Sequence, residues 1–395
     1  MSTQWVLGPS LVMAFLIGLC LVISFLIPRL TRPDIYFAVT VPPEFRDSAE
    51  GGSILKRYRV EVTIFGVLAL LIVLAAIRIA EPNRQVAVTL AGLFFQGVGV
   101  FFAFYRARGR VQPHAVAPAT VREAALMPRE ARLPGGWLLQ LPPFALLAAT
   151  AIWLHLHWDQ IPEVFPIHWG ANGQPNNWAT RSFAGVYGPL LIATGLCALM
   201  GFMGFAMLRW SRLIRVGGAA GEGERRFRVV VMSIIVALEY FLALLFVWTG
   251  LLPLSHKQNG PPGFIPVLVF ALAFTLVIVV LLLWVGQGGT RLARSAGVAS
   301  GTAAQPGGVA GAQGHAPLHG LEAAAAPPVG DRTADKYWKL GLFYINRDDP
   351  AMFVEKRFGV GYTLNFGHPG TLVFLAVLVA VFVAIILFAP SHHRP

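Results

Sequence analysis

Long apolar runs separated by short polar segments dominate the chain, and eight of these runs are long enough to cross a bilayer as helices, which takes roughly 20 residues. The first run has no basic leader and is followed by Arg29 and Arg32, which predicts a retained helix and not a cleaved signal peptide. The pattern predicts an all-α fold, a polytopic membrane helix bundle of about eight transmembrane helices. The predicted spans lie near residues 6–27, 62–79, 86–105, 138–156, 184–208, 229–252, 264–285 and 371–389.

The basic residues follow a regular alternation between these spans. The loops after spans one, three, five and seven carry 26 of the 31 lysine and arginine residues. Because basic loops stay on the cytoplasmic side, both termini are predicted to be non-cytoplasmic, with small ordered loops on both faces. The formal net charge of +12 is then a topology signal and an attraction to anionic lipid, which excludes a nucleic-acid partner.

Composition agrees with this class of protein, since 56% of residues are hydrophobic and only 13% are charged, about half the average for soluble proteins. Cys20 and Cys197 both fall inside apolar runs and form neither a disulfide framework nor a zinc motif. The segment 286–334 is rich in Gly, Ala and Pro and predicts a flexible linker. The predicted organisation is a three-helix region at 1–136, a two-helix unit at 137–210 with an outer loop at 157–182, helices six and seven at 211–285, the linker, a cytoplasmic interfacial module at 335–370, and the last helix and tail at 371–395.

The outer loop combines turn residues with aromatic ones. Asn172-Gly173 is a strong turn pair, and Phe165, Ile167 and Trp169 alternate as in a short strand or hairpin arm. Four of the ten tryptophans lie at this boundary, which is typical of an aromatic belt at the headgroup level or of an ordered cap that binds a ligand. Both interpretations stay open. The tryptophans are Trp153, Trp158, Trp169 and Trp178.

Histidines and acids in the same loop raise the question of a metal. His155 and His157 are two residues apart, so on a helix they point about 200° away from each other. The loop also holds His168, Asp159 and Glu163, but no recognised zinc spacing. We therefore expect no metal site, no cofactor and no catalytic residue here, and a membrane-embedded metal-dependent enzyme is the least supported function.

Within the spans, Glu239 is the notable polar residue, near the middle of span six. A carboxyl at that depth is costly and normally faces the bundle interior, a partner or water. It fits either a small-solute or ion transporter or a neutral acid that holds helices together. Gln96 in span three is a candidate hydrogen-bond partner.

The cytoplasmic segment 335–370 also departs from plain helix. Asp348-Asp349-Pro350 is a turn initiator, and aromatic residues alternate with basic ones from Phe353 to Phe366. This mix predicts an element lying on the membrane surface with its aromatic side toward the lipid. The alternative is a docking surface for a cytoplasmic partner.

Two segments resemble known bacterial modules. Residues 160–178, with Pro162, Pro166, His168, Gly173, Pro175 and Trp178, resemble a loop of a domain of unknown function that also occurs in Sdp-type immunity proteins. Residues 346–366 resemble a second uncharacterised module, found towards the C-terminus of the same membrane proteins, and Val41-Pro42-Pro43-Glu44 resembles their first cytoplasmic loop. The positions that match inside are Asp349, Pro350, Lys356, Arg357, Gly359, Asn365 and Phe366.

The resemblance implies a multi-pass protein of the bacterial cytoplasmic (inner) membrane. It implies an immunity-like or envelope-stress sensing function, with an extracellular peptide or toxin bound at the outer loop and a cytoplasmic regulator as the inner partner. The alternatives are the transporter and then the enzyme. The candidate functional residues are His168, Trp169, Gly173, Trp178, Glu239, Asp349, Lys356, Arg357 and Asn365.

Overall fold

The computed structural model describes residues 3–79, 81–117, 134–169, 174–211, 218–254, 264–289, 291 and 333–388. Within this part, seven helices are long and apolar enough to cross a membrane, which confirms the predicted polytopic helix bundle. An eighth helix coincides with the last predicted span, and its described side chains qualify it only as a shorter apolar helix. The helices are α1 (Thr3–Leu30), α2 (Ala49–Ala76), α3 (Pro82–Val111), α4 (Leu141–Leu156), α5 (Phe183–Trp210), α6 (Gly218–Leu251), α7 (Phe264–Val285) and α8 (Pro369–Phe388).

Helices α1, α2 and α3 pack on one another around small and branched apolar side chains such as Ile17, Ala69 and Val73. Gln96 of α3 lies in this interface, where its Nε2 donates to the carbonyl oxygen of Ile17 at 3.0 Å. The expected contact between Gln96 and Glu239 is therefore wrong. In a span, an amide N–H must find an acceptor within the protein, and the backbone of the adjacent helix supplies one.

Helices α4, α5 and α6 form a second packed group. Its core includes Leu154 of α4, Val186 and Leu190 of α5, and Ala243 of α6. Helix α7 contacts this group through an aromatic stack in which the rings of Phe241 and Phe274 are parallel with centroids 4.6 Å apart. The rest of α7 exposes its apolar side chains, as expected for a helix that faces lipid.

In the part of the chain that the structure describes, four short antiparallel hairpins join or follow the helices. Only the outer one was predicted, from the alternation of Phe165, Ile167 and Trp169; the other three have strands of two or three residues, too short to show a period. The strands are β1 (Ile35–Tyr36), β2 (Val39–Thr40), β3 (Val164–Trp169), β4 (Pro175–Thr180), β5 (Trp338–Lys339), β6 (Phe343–Tyr344), β7 (Phe353–Glu355) and β8 (Tyr362–Leu364).

The β1–β2 hairpin is buried at one end of the bundle. Its turn residues Phe37 and Ala38 both have positive φ, 45° and 61°, which gives the mirror-image turn that suits a two-residue hairpin but normally recruits glycine or asparagine. Both residues are fully buried. The Arg108 guanidinium, from the end of α3, donates to the Ala38 carbonyl oxygen at 2.6 Å and so holds the turn.

The C-terminal segment of residues 333–368, here called the inner module, covers this hairpin. Phe358 of the module stacks on Phe37 and lies 4.3 Å, centroid to centroid, from Phe104 of α3. Phe353 is buried against α5 and α8. Phe353 and Phe358 therefore face a protein core and not the lipid surface as expected, because alternating aromatic and basic residues fit either environment equally well.

The expected flexible linker begins too early at residue 286. Residues Gln287–Gly289 form a 3₁₀ turn whose Gln287 side chain donates to the carbonyl oxygens of Lys356 at 2.9 Å and Gly361 at 3.2 Å. The same side chain accepts from the Gly361 N–H at 2.9 Å. The end of α7 is thus fixed to the inner module. Most of the remaining predicted linker lies outside the described residues.

Candidate functional site

The first candidate site is the outer cap, defined as the turn Trp158–Gln160 together with the hairpin β3–β4. Its underside is apolar: Ile161, Phe165 and Ala179 are buried in the core of α4, α5 and α6. Arg181 fastens the cap from the side, because its Nη1 donates to the carbonyl oxygens of Trp158 and Ile161 at 3.3 and 3.1 Å. The cap is therefore a packed element and not a loose loop.

The outward face of the cap carries the predicted residues. Phe165 and Ala179 are paired and buried, so Trp178, which pairs with Pro166 one position along, lies on the opposite face and is half-buried. His168 is exposed, and its Nδ1 lies 2.5 Å from Asn176 Oδ1. The structure thus brings His168 and Trp178 onto one hairpin.

Trp169 lies at the tip of strand β3 and is half-buried. Its indole Nε1 is buried and has no hydrogen-bond partner among the residues that the structure describes. A buried indole N–H usually has an acceptor, and none of the described residues provides one here. The predicted Gly173 lies outside the described residues.

His155 and His157 contact different residues. The His157 ring stacks on Trp153 with centroids 4.0 Å apart, and its Nδ1 lies 2.9 Å from the Trp153 carbonyl oxygen. His155 Nδ1 is 3.5 Å from the Tyr187 hydroxyl. Across the described part of the chain, no group of three or more His, Cys, Asp and Glu side chains is arranged to hold a metal ion.

The second candidate site is the inner module, and Arg357 is its most connected residue. Its side chain is 1% exposed and forms an ion pair with Asp335 at 2.5 Å. It also donates to the carbonyl oxygens of Thr333 and Ala38 at 2.5 and 3.3 Å, and to the hydroxyl of Thr40 at 3.3 Å. Asp335 in turn accepts from that hydroxyl at 2.6 Å. Arg357 therefore joins the inner module to the β1–β2 hairpin.

Asn365 holds the inner module together internally. It is fully buried, and its Nδ2 donates to the carbonyl oxygens of Asn346, Asp349 and Ala351 at 2.8, 3.2 and 3.1 Å. Its Oδ1 accepts from the backbone N–H groups of Asn346 and Gly367, both at 3.0 Å. The side chain thus uses its full hydrogen-bonding capacity in shaping the loop between β6 and β8.

The other two predicted inner residues differ in their surroundings. The Asp349 carboxylate accepts from the Ala351 N–H and the Tyr344 hydroxyl, both at 2.9 Å, so it stabilises its own turn. Lys356 is exposed, although the protein around its stem lowers the pKa of its ammonium group by removing part of its hydration. Of the four predicted residues, Lys356 is therefore the one available to a partner.

Helix α5 connects the two candidate sites directly. It begins at the end of strand β4, where the Ser182 hydroxyl caps it by accepting from the Gly185 N–H at 3.1 Å. It ends at Trp210, whose carbonyl oxygen accepts from the Met352 N–H of the inner module at 2.8 Å. The next residue, Ser211, forms a β-bridge with Phe353. A helix of 28 residues spans about 42 Å, so one continuous helix, with Pro189 in its interior, runs from the outer cap to the inner module.

Comparison with known families matches both modules. Residues 145–193, covering most of α4, the outer cap and the start of α5, match a model described as a Domain of unknown function (DUF1648). Residues 347–372, in the inner module and the start of α8, match one described as a Family of unknown function (DUF5808). No curated protein and no solved structure matches the chain. The chain is a multi-pass membrane protein that carries two uncharacterised modules.

Proposed function

We propose that this protein is an immunity-like or envelope-stress receptor of a bacterial cytoplasmic membrane. In this proposal, the outer cap binds an extracellular peptide or toxin and the inner module reports binding to a cytoplasmic regulator. The observation that carries the proposal is the continuity of α5, whose first turns pack against the cap at Val186 and whose last residue, Trp210, accepts a hydrogen bond from the inner module. One helix that both sites contact is a physical means by which binding at one can bias the other.

The chemistry of the outer cap fits a peptide. Trp178 offers a half-buried aromatic surface, and Trp169 offers a buried indole N–H that has no acceptor in the described part of the chain. An apolar side chain packed on the first and a peptide carbonyl facing the second would satisfy both groups. Tryptophan is also the residue type most enriched among those that dominate binding energy at interfaces.

The inner module presents exposed apolar side chains that a protein partner would cover. Leu340, Phe343 and Ile345 are exposed apolar side chains at the β5–β6 hairpin and just after it. Exposed Lys339 and Arg347 flank them in sequence. The combination favours a partner that offers both apolar and acidic side chains.

The proposal predicts that Trp178→Ala alters the response of cells to an envelope-active peptide. Removing a central aromatic anchor costs about 2 kcal/mol or more in binding, or roughly 30-fold in the peptide concentration needed. The measurement is the growth-inhibitory concentration across a peptide panel, in deletion strains expressing the wild type or a variant. Trp284→Ala, at a lipid-exposed tryptophan of α7, is the matched control and should leave the concentrations unchanged.

Two outcomes would count against the receptor function. One is a deletion strain whose sensitivity to every peptide equals that of the wild type. The other is a Trp178→Ala strain that responds as the wild type does while purified wild-type protein binds a peptide in the same panel. The second would place the peptide site away from the cap.

A further inference from the structure

Glu239 and Gln140 are two buried polar residues in the group of α4, α5 and α6 and the turn that leads into α4. Glu239 lies midway along α6 and is fully buried, and neither of its carboxyl oxygens has a hydrogen-bond partner among the described residues. An ionised carboxyl in that position is strongly unfavourable without a compensating charge. The negative charge of an ionised Glu239 must therefore be neutralised by something other than the described side chains.

Gln140 supplies a second unsatisfied group. It ends the 3₁₀ turn Trp137–Gln140 that leads into α4, it is 8% exposed, and its Oε1 and Nε2 are both buried without a partner in the described part of the chain. The amide packs against α5 at Gly201, where an added Cβ would lie 3.2 Å from Oε1. Sequence reasoning missed Gln140, because a single glutamine at the edge of an apolar run carries no pattern.

Helix α5 brings the two groups together. The Cys197 thiol donates to the backbone carbonyl oxygen of Glu239 at 3.6 Å, and Cys197 lies one helical turn, about 6 Å, from Gly201. The turn before α4 is also tied to α6 beside Glu239, since the Tyr240 hydroxyl donates to the Leu139 carbonyl oxygen at 2.8 Å. The backbone of α6 at Glu239 and the carboxamide of Gln140 therefore contact the same face of α5, about one helical turn apart.

A second carboxylate, in α2, has different surroundings. Glu61 of α2 lies 3.5 Å from Arg106 and 3.9 Å from Arg110 of α3, so two guanidinium groups compensate its charge. No Lys, Arg or His is present in residues 137–150, 190–205 or 232–250, which form the three helix segments around Glu239. Cys197 and Tyr240 are the other titratable groups in these segments.

We propose that Glu239 and Gln140 form an intramembrane binding site for a single inorganic monovalent cation, either a proton or a sodium ion. The carboxyl provides the negative charge. The Gln140 Oε1 provides a neutral oxygen that either accepts a hydrogen bond from the protonated acid or coordinates the metal ion, and Nε2 can donate to the second carboxyl oxygen. The site is separate from the outer cap and does not depend on the receptor function.

The test is an infrared titration of the full-length protein in lipid bilayers. In sodium-free buffer, the carbonyl stretch of a protonated carboxylic acid should be present at low pH and disappear between about pH 5 and pH 9, the range over which buried carboxyls titrate. Glu239→Gln should remove this band. Glu61→Gln is the matched control and should retain it. Adding sodium at a fixed pH separates the two ions, since loss of the band shows that sodium binds and an unchanged band shows a proton site.

A Glu239-dependent band that neither pH nor sodium changes would overturn the proposal, because Glu239 would then be a permanently neutral link between helices. The proposal would also be overturned if no infrared band that depends on Glu239 were seen at any pH between about 5 and 9. Gln140→Leu provides a second variant that keeps the acid. It should change the proton or sodium affinity about tenfold, the effect of one hydrogen bond to a charged group, and an unchanged midpoint would exclude Gln140 from the site.

Discussion

Replacing Arg357 with alanine is expected to lower the free energy of unfolding by about 3–5 kcal/mol, the usual cost of breaking a buried ion pair. The variant leaves the Asp335 carboxylate with only the Thr40 hydroxyl and N–H, and it removes the donor to the Ala38 and Thr333 carbonyl oxygens. The measurement is thermal unfolding of the detergent-solubilised protein, followed by size-exclusion chromatography with fluorescence detection.

Lys356→Ala is the matched control for this experiment. It removes an exposed cation from the adjacent position, so we expect a change within about 0.5 kcal/mol. Arg357→Lys should resemble Arg357→Ala, because one ammonium group cannot reproduce the bidentate, planar donation to several oxygens. An Arg357→Ala protein as stable as the control would show that the inner module does not depend on its contact with the β1–β2 hairpin.

Replacing Asn365 with aspartate is expected to destabilise the inner module by about 3 kcal/mol or more. The side chain keeps its shape but loses the two N–H donors that face three carbonyl oxygens, and each buried acceptor left unpaired costs about 1–3 kcal/mol. A carboxylate facing those oxygens is also repelled by them. The experiment compares unfolding temperatures and proteolysis within residues 333–368, below and above neutral pH.

The same chemical change at an exposed position provides the control. Asn176→Asp in the outer cap should be nearly neutral, since its side chain is exposed and a carboxylate beside His168 keeps an acceptor for that ring. Acid should partly rescue Asn365→Asp by protonating the new carboxyl group, whereas it should not stabilise the control. Equal stability of the two variants at every pH would contradict the assigned role of Asn365.

The helices could be predicted because their signal is local and redundant. Each apolar run has about the length that a bilayer requires, and the helices agree with the predicted spans except that α2, α3 and α6 extend well beyond the apolar part. The extensions, such as the first turns of α2 from Ala49, are polar segments that emerge from the membrane as helix. A hydropathy pattern shows where the apolar part of a helix begins and ends, but the helical hydrogen bonding can continue into the polar residues beyond it.

The connections within the inner face could not be predicted in this way. The contacts of Arg357 with Ala38 and Thr40 join positions 319 and 317 residues apart, and no local pattern encodes such a pairing. The turn at Phe37 and Ala38 has no glycine or asparagine to indicate positive φ. Arg357 itself was singled out through a resemblance, but its predicted role as a docking residue did not anticipate that its side chain is buried.

The outer cap falls between these cases. The strand β3 was predicted from the alternation of Phe165, Ile167 and Trp169, and the hairpin is present. Arg181, which follows β4, also joins the end of the hairpin to the turn before it by hydrogen bonds to the Trp158 and Ile161 carbonyl oxygens. An arginine that the sequence shows only as a positive charge in a loop can also donate hydrogen bonds to specific carbonyl groups. Only the structure shows that Arg181 does so.

The burial of the β1–β2 turn beneath Arg357 has a consequence for biosynthesis. A ribosome adds about 5–20 residues per second, so the 319 residues that separate Ala38 from Arg357 take roughly 15 to 65 seconds to appear. Throughout that interval, the turn of Phe37 and Ala38 lacks the side chain that covers it. Chains that terminate early would leave this apolar turn uncovered, which would mark them as unfinished for quality-control proteases.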